Sequence, residues 1–272
     1  MSGQVSWIPA NIDLRRASPA RVYDYLLGGN WNFDVDRVMA KQAVNTMPWV
    51  RDLARYNRQF LGRAIRFCAN AGVRQFLDLG SGMPTSKSVH EMAGEIHPNS
   101  SVVYVDREPV AVAHTELILA NVDGADILAA DLTDVDDVLA SPVTHRLINF
   151  DEPVAIVMAS SLHYVLDAAH AAATVAAYMS AVAPGSHLVL SHISDNQGDG
   201  SQEVQDLVEL SKTTSAAGVA RSREWIAGLF EGLDTVEPGL VYTSQWRPDD
   251  GLRLVRDLPA HASLLAAVAR KT

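Results

Sequence analysis

The sequence predicts an α/β protein with a mostly parallel sheet, preceded by a helical segment. From Val73 onward, short apolar runs alternate with segments of helical periodicity. The first of these runs ends in an acidic residue and a Gly-x-Gly turn, in "FLDLGSG". Residues 18–72 show helical spacing instead, with recognisable helix start and stop residues. We therefore expect residues 1–72 to form an arm and a helical cap, and residues 73–272 to form the core.

The first helix is predicted from the residues expected at its start and end. Residues 1–17 look like an extended arm, and "SPARVYDYLLGG" follows. Ser18 is the expected N-cap, Pro19 suits the first helical position, and Gly28–Gly29 end the helix.

Two further helices are predicted before the sheet. One runs from Asp34, as its N-cap, to about Asn45, and a longer one follows Pro48 and ends at Gly72. The apolar residues of the longer helix recur at helical spacing.

The alternating region supplies the sheet. The predicted strands are 74–79, 101–106, 125–130, 154–160 and 186–193. The predicted helices between them are "TSKSVHEMAGEIH", "PVAVAHTELILANV", "DVDDVLA" and "AAHAAATVAAYMSAVA". Such alternation gives right-handed crossovers and a parallel sheet, whose ligands bind at the carboxyl ends of the strands.

The C-terminal part is less regular. A loop and helix are predicted in "GDGSQEVQDLVELSKTTSAAG", and a helix in "SREWIAGLFEGL" before a strand near 234–242. Periodicity alone leaves "SLLAAVARKT" open between strand and helix. The polar segment 195–220 contains glycine and is a candidate substrate loop.

Composition and charge exclude some classes of function. The net charge is −10 and no cluster of five or more Lys and Arg residues occurs, which disfavours a nucleic-acid partner. Cys68 is the single cysteine and lies in a predicted helix, so we expect a buried thiol. The N-terminus lacks the pattern of a signal peptide, and no apolar run approaches about 20 residues, so we expect a cytoplasmic protein without a membrane span.

The glycine turn departs from the dinucleotide fingerprint. Gly80 and Gly82 fill the first two positions of G-x-G-x-x-G, but Thr85 occupies the third. Pro84 lies inside the turn and has no N–H to offer a pyrophosphate. Both differences weigh against NAD.

An acidic residue lies at the carboxyl end of each of the first three predicted strands. Asp78 precedes the glycine turn, where its charge opposes a phosphate and suits a cationic ligand. Asp106 ends the next strand, where it can accept both hydroxyls of a ribose. Asp131 ends the third strand, where it can accept from the exocyclic amine of an adenine. Helix capping is the alternative role for Asp106 and Asp131. The three together favour an adenosine with a positive, amino-bearing tail, which describes S-adenosylmethionine (SAM).

These motifs carry a family resemblance. "FLDLGSG", the strand end at Asp106 and "ADLTD" resemble the first three motifs of class I SAM-dependent methyltransferases. Longer stretches, including "SPARVYDYLLGGNWNFDVDR" and "FEGLDTVEPGLVYTSQWRP", resemble an actinobacterial family of S-adenosyl methyltransferases, long catalogued as a domain of unknown function. The resemblance covers nearly the whole chain.

The resemblance implies a Rossmann-like class I fold with seven mostly parallel strands and an antiparallel last strand, which favours a strand for "SLLAAVARK". It implies SAM as cofactor and S-adenosylhomocysteine as product, and it supplies no substrate. For the methionine part of SAM it implies contacts from Gly80, Ser81, Gly82 and Ser160. For the ribose and adenine it implies contacts from Asp106, Arg107, Asp131 and Leu132.

The helical cap is also a candidate part of the cofactor site. We expect the N-terminal segment, with Tyr25 and the turn of Gly28, Gly29 and Asn30, to fold over the cofactor as a lid. The alternative is a cap that only covers the sheet.

The segment after the fourth strand, "SSLHYVLD", lacks the Asn/Asp-Pro-Pro-aromatic motif typical of enzymes that methylate exocyclic amines of bases. His163 is the best candidate for a general base, because its pKa lies near working pH. Tyr164 lies beside it, and His192 is a weaker second candidate base. The aromatic residues Trp31, Phe33, Tyr164 and Trp225 are candidates for an apolar acceptor pocket, although core packing explains aromatics more often.

The sequence therefore predicts a SAM-dependent methyltransferase acting on an oxygen or nitrogen of a small molecule. One alternative is a SAM-binding sensor without turnover. Another is an NAD-dependent oxidoreductase, which Pro84 and Thr85 disfavour. No metal site is predicted, and the sequence does not specify the oligomeric state.

Overall fold

One eight-stranded sheet organises the fold. The structure of the protein is a computed structural model that describes residues 12–85, 87–195, 201–249 and 263–272. The strands are β1 (Gln75–Leu79), β2 (Ser101–Asp106), β3 (Ala125–Ala129), β4 (Val154–Ala159), β5 (His187–Ile193), β6 (Asp234–Thr235), β7 (Val241–Tyr242) and β8 (Leu264–Arg270).

Helices cover both faces of the sheet, as its parallel strands require. They are α1 (Pro19–Leu26), α2 (Asp34–Thr46), α3 (Val50–Asn70), α4 (Val89–Gly94), α5 (Pro109–Leu119), α6 (Val135–Ala140), α7 (Pro142–Leu147), α8 (Ala168–Ala181), α9 (Ser201–Ser211) and α10 (Arg223–Gly228). A 3-10 turn, Leu162–Tyr164, follows β4.

The strand order is β3-β2-β1-β4-β5-β8-β6, and β7 also pairs with β8. The first five strands are parallel to one another, while β8 runs antiparallel to β5. The predicted fold and the antiparallel last strand are thereby confirmed. The strand expected near 234–242 is split into β6 and β7. Pro238 and Gly239 lie between them, and proline cannot donate to a ladder.

Side-chain alternation along β1 explains why the sheet has two cores. Leu77 and Leu79 pack on the face that carries α8, whereas Phe76 packs on the opposite face against α3. Cys68 of α3 belongs to this second core and is fully buried, which raises the pKa of its thiol.

Two helices differ from the prediction. Helix α4 begins at Val89 rather than near Thr85, because Ser88 starts it: the Ser88 N–H donates to the Glu91 carboxylate at 2.7 Å. Helix α7 was missed, although Ser141 caps it through Thr144 N–H at 3.1 Å and Pro142 occupies its first position.

The N-terminal helices follow the prediction closely, with one correction. Asp34 is the first residue of α2, and Phe33 is the N-cap, its N–H donating to the Asp36 carboxylate at 2.9 Å. Helix α3 packs against both the helical cap and the sheet. Leu53 near its start packs with α1 and α2, whereas Phe60 packs on the sheet. Within the described residues, no helix is both long and apolar enough to cross a membrane.

Candidate functional site

A cavity of about 540 Å³ lies at the carboxyl ends of the parallel strands. Its walls come from the turns after β1, β2, β3 and β4 on one side and from α1, α2, α3 and α9 on the other. The volume falls within the range of about 300–1,000 Å³ typical of small-molecule sites.

The glycine turn after β1 forms part of the wall. Gly80 has a φ of +76°, and a Cβ atom there would lie 2.4 Å from Cβ of Ser161. Only glycine allows this close approach of the turns after β1 and β4. The next helix, α4, begins only at Val89, so the turn does not run directly into a helix N-terminus as a pyrophosphate site requires.

Asp106 lies beside this turn at the end of β2. Its carboxylate accepts from Gly82 N–H at 2.6 Å and from Glu108 N–H at 2.8 Å. Burial raises the pKa of Asp106 and outweighs these two hydrogen bonds, which lower it. The carboxylate lines the cavity without a salt-bridge partner among the described residues, and it retains lone pairs for ligand hydroxyls.

Asp131 is oriented by three donors. Arg107 Nη1 lies 2.6 Å from its Oδ2, while the N–H and hydroxyl of Thr133 each lie 2.9 Å from its Oδ1. Burial alone would raise the pKa of Asp131, but these hydrogen bonds and the Arg107 charge lower it below its usual value. Arg107, Asp131 and Leu132 all line the cavity.

Ser160 directly follows β4 and has a left-handed conformation, with φ of +61°. A non-glycine residue in this region marks a strained position, as is common at functional sites. Its hydroxyl lies 3.4 Å from Ser191 Oγ, which itself donates to Asn57 Oδ1 at 2.6 Å. Ser160 is therefore the donor to Ser191, and its own lone pairs stay available on the cavity side.

The hydrogen bonds that start at Ser160 and pass through Ser191 and Asn57 continue into the helical cap. Asn57 Nδ2 donates to the Tyr23 hydroxyl at 3.1 Å, and Tyr23 donates to the Ala54 carbonyl at 3.0 Å. These hydrogen bonds thus link the ends of β4 and β5 to α3 and α1.

His163 lines the cavity just after Ser160 and Ser161. Its Nδ1 has no hydrogen-bond partner among the described residues. Burial lowers its pKa well below the ordinary histidine value, and the neighbouring His192 and Arg221 lower it further, so the expected pKa near working pH is wrong. The imidazole is consequently neutral at pH 7 and can accept a proton.

His192 is held differently. Its Nδ1 lies 2.7 Å from the Ile193 carbonyl, and its Nε2 lies 2.9 Å from Arg221 Nη1. Because Nδ1 must donate and Nε2 must accept, neither nitrogen is left for catalysis. His192 also does not line the cavity, so its role is structural.

The far part of the cavity is an apolar chamber between the cap and the sheet. Helices α1, α2 and α3 contribute Leu26, Met39, Ala43, Val50, Leu53 and Ala54. Strand ends and α9 contribute Ile193, Leu207, Val208, Leu210 and Leu264.

Two sets of contacts close the cap over the cavity. The Ser215 N–H donates to the Ala17 carbonyl at 2.8 Å, and Arg16 donates to the Thr214 carbonyl. Arg21 of α1 is 2% exposed and pairs with Asp36 of α2 at 2.8 Å and with Glu108, the N-cap of α5.

Most of the predicted site residues come together in this cavity. They are Gly80, Ser81, Gly82, Asp106, Arg107, Asp131, Leu132, Ser160, His163 and Tyr164. Of the residues predicted to bind the cofactor, Tyr25, Gly28, Gly29, Asn30 and Asp78 do not line the cavity.

Asp78 lies on the opposite face of the sheet from Leu79, because successive side chains of a strand alternate between the two faces. It lies one residue before the end of β1, on the same face as Phe76 rather than Leu79. Burial raises its pKa to about 7, although the Arg58 charge opposes this.

The "LGGN" turn has a structural reason for its glycines. It wraps around the Asp24 carboxylate, which accepts from Trp31 N–H at 2.9 Å and from Asn32 Nδ2 at 2.8 Å. A Cβ atom on Gly29 would lie 1.9 Å from an oxygen of that carboxylate. Other residues of the same segment cover the cavity, from Ser18 to Tyr23.

The aromatic pocket was predicted from residues that mostly lie elsewhere. Tyr164 lines the cavity, but Trp31 packs on His114 with ring centroids 3.9 Å apart, and Trp225 lies under Arg221 at 4.2 Å. Phe33 packs beside Met83 and Val110. The apolar part of the wall is mostly aliphatic instead, and Tyr23 and Tyr164 are its aromatic residues.

Part of the predicted substrate loop is helical and lines the cavity. Residues 201–211 form α9, and 214–219 continue the wall. The segment 196–200 lies outside the described residues.

Residues that the sequence gave no reason to single out complete the site. Arg21, Tyr23, Asn57 and Ser191 come from three elements, α1, α3 and β5, and their partners are far away in the chain. Contacts between residues so far apart in the sequence cannot be predicted from the pattern of any single segment.

The site fits an adenosine with an amino-acid tail. The Oγ atoms of Ser81 and Ser161 are buried without a partner in the described part of the chain, so a polar ligand would satisfy them. A Cβ atom on Gly82 would meet nothing within 4 Å, so that side of the turn is open. Asp106 offers lone pairs to a ribose diol.

Comparison with known proteins gives a consistent result. A family model described as S-adenosyl methyltransferase matches residues 5–272. A search of curated proteins finds no significant match.

Two solved structures resemble the chain over almost its whole length. One is a candidate methyltransferase from Thermobifida fusca YX that is 37% identical to this chain. The alignment covers 98% of this chain and 99% of that protein, with a TM-score of 0.91. The other, a DUF574 family protein from Streptomyces avermitilis MA-4680, is 31% identical, with coverage of 96% and 99% and a TM-score of 0.90.

Proposed function

The chain belongs to the S-adenosyl methyltransferase family, whose cofactor is SAM, and from this premise we propose that it transfers the SAM methyl group to an oxygen or nitrogen of a small molecule. One observation carries the proposal. The cavity joins the polar strand ends to the apolar chamber, and His163 lies on its wall next to Ser160 and Ser161. A cofactor part and an acceptor part thus share one cavity.

When bound, SAM supplies a methyl group on a positively charged sulfur. Asp106 holds the ribose hydroxyls, and Asp131 with Leu132 borders the adenine. The turn of Gly80, Ser81 and Gly82 lines the methionine part. Ser160 accepts from the amino group or from the acceptor, because its own proton is directed to Ser191.

His163 acts on the acceptor's proton. Because burial keeps its imidazole neutral, the ring accepts a hydrogen bond from the acceptor before reaction and takes the proton as the acceptor is methylated. The contacts of Ala17 with Ser215 and of Arg21 with Glu108 hold the arm and α1 over the cavity.

The test uses methyl-labelled SAM, the purified chain and the small-molecule fraction of a cell extract. We expect S-adenosylhomocysteine to form only when the extract is present, with label in a small molecule. Saturable SAM binding without S-adenosylhomocysteine from any fraction would instead identify a sensor.

A further inference from the structure

We propose that the methyl acceptor is an uncharged, largely apolar molecule that occupies the apolar chamber and presents one hydroxyl group to His163. The inference rests on the proposed function and adds the class of substrate.

Charge is confined to one end of the cavity. The charged residues on its wall, within the described part of the chain, belong to the arm, to α1 and to the turns after β2 and β3: Asp13, Arg21, Asp106, Arg107, Glu108 and Asp131. Helices α2, α3 and α9 and strands β5 and β8 contribute no charged side chain to it.

A charged acceptor would be penalised in this chamber. A buried ion without a partner costs several kcal/mol or more. The chamber offers a carboxylate no cation, and it offers an ammonium group no acid. Arg221 is near His163 but donates to His192, Val165 and Leu166, and it does not line the cavity.

The polar atoms on the chamber wall are largely committed to internal hydrogen bonds. The Tyr23 hydroxyl donates to Ala54 and accepts from Asn57. Ser211 donates to the Val208 carbonyl and accepts from Gly218 N–H. His163 Nδ1 remains without a partner, as do the hydroxyls of Ser18 and Ser161 on the cavity wall. Of these three groups only the imidazole can take up a proton, so the acceptor's hydroxyl is expected at His163.

The chemistry of a hydroxyl acceptor is balanced. The acceptor oxygen forms a bond to the methyl carbon while the carbon–sulfur bond breaks, and that electron pair stays on sulfur as a neutral thioether. The hydroxyl proton passes to His163 and then to solvent. The product is the methyl ether.

Binding without SAM tests the chamber apart from catalysis. Calorimetry would compare 2-naphthol with 2-naphthoate, which has a similar ring and a negative charge. We expect 2-naphthol to bind at least tenfold more tightly, with a negative heat-capacity change. Equal binding of the two probes, or no binding of 2-naphthol, would overturn the inference.

A matched pair of variants on α2 locates the binding. Met39 lines the chamber, whereas its neighbour Val38 is 56% exposed. Met39→Trp is expected to reduce 2-naphthol affinity at least tenfold and to leave SAM affinity unchanged, which also shows that it folds. Val38→Trp should change neither, and loss of 2-naphthol binding in both variants or in neither would contradict the location.

The label in the extract assay separates the two proposals. Label in neutral, apolar products supports both of them. Label only in products retained by ion exchange at pH 7 overturns the acceptor class and leaves the methyltransferase activity standing. No S-adenosylhomocysteine from any fraction overturns the proposed function, and the acceptor assignment with it.

Discussion

His163 is the residue whose role at the site can be tested most sharply. Because burial holds its pKa well below 6.5, kcat/KM should stay level as pH falls from 8 to 6.5 and should decline only at more acidic pH. His163→Ala should lower kcat by about 10²–10⁴-fold, the range for loss of a general base.

The exposed His145 of α7 supplies the control, since His145→Ala should keep full activity. An acidic limb at pH 6.5 or above, or full turnover by His163→Ala, would contradict the role.

Asp106 should determine cofactor affinity. Asp106→Asn keeps the size of the side chain but loses a charged acceptor, and hydrogen bonds to charged groups contribute about 1.5–3 kcal/mol. SAM affinity should therefore fall roughly 10- to 100-fold by calorimetry. Asp123→Asn, at an exposed position, should leave it unchanged. Equal affinities in the two variants would place the ribose elsewhere.

Asp78 should make stability depend on pH. Burial raises its pKa from 3.8 to about 7, so the folded state binds a proton that the unfolded state has lost between those values. Its contribution to stability therefore falls as pH rises from about 4 to 7 and then levels off.

Asp78→Asn should remove this dependence and raise the free energy of unfolding at pH 8 by up to about 4 kcal/mol, with little change at pH 4. Urea unfolding at both pH values measures it. Equal stability of the two proteins at pH 8 would be inconsistent with a buried, unfavourable charge.

The sequence located the polar residues of the site better than their orientations. Asp106, Asp131 and Ser160 line the same cavity because strand ends in parallel sheets share one edge, and their contacts with the cofactor stay a prediction. Asp78 obeyed the same rule but faces the other side, since a shift of one residue along a strand reverses a side chain. Gly28 and Gly29 resembled a ligand turn, but Gly29 makes room for the Asp24 carboxylate and Gly28 adopts a φ of +88° in the turn that surrounds it.

Among the elements, α1 depends on one buried arginine. Arg21→Met would leave the carboxylates of Asp36 and Glu108 without their cation, and breaking a buried pair costs about 3–5 kcal/mol. We expect a loss of stability of that order in urea unfolding, and weaker SAM binding because α1 covers the cavity.

The exposed pair of Arg55 and Asp52 provides the comparison. Arg55→Met should cost less than about 1 kcal/mol. Similar losses in the two variants would mean that Arg21 does not fasten the cap.

The long, periodic elements were predictable from sequence, and the short ones were less so. The five parallel strands and α3 have strong apolar patterns, whereas α7 has six residues and β6 and β7 have two each. The apolar chamber was not predictable, because α1, α2, α3, α9 and β8 supply its wall from distant parts of the chain. Nothing in a single segment indicates that its apolar residues border a void rather than a filled core.

At the scale of the whole molecule, the fold separates two environments within one cavity. The strand ends provide charge and hydrogen-bond donors and acceptors, and the helical cap provides an aliphatic wall. This arrangement suits a polar, charged cofactor that reacts with an apolar partner. The sheet fixes the first environment, while α1, α2 and α9 fix the second.

A crystal structure with S-adenosylhomocysteine tests this account most directly. We predict that the ribose hydroxyls lie within hydrogen-bond distance of the Asp106 carboxylate and that the sulfur faces His163 and the apolar chamber. A ligand bound outside the cavity, or one whose sulfur faces away from the chamber, would contradict the account.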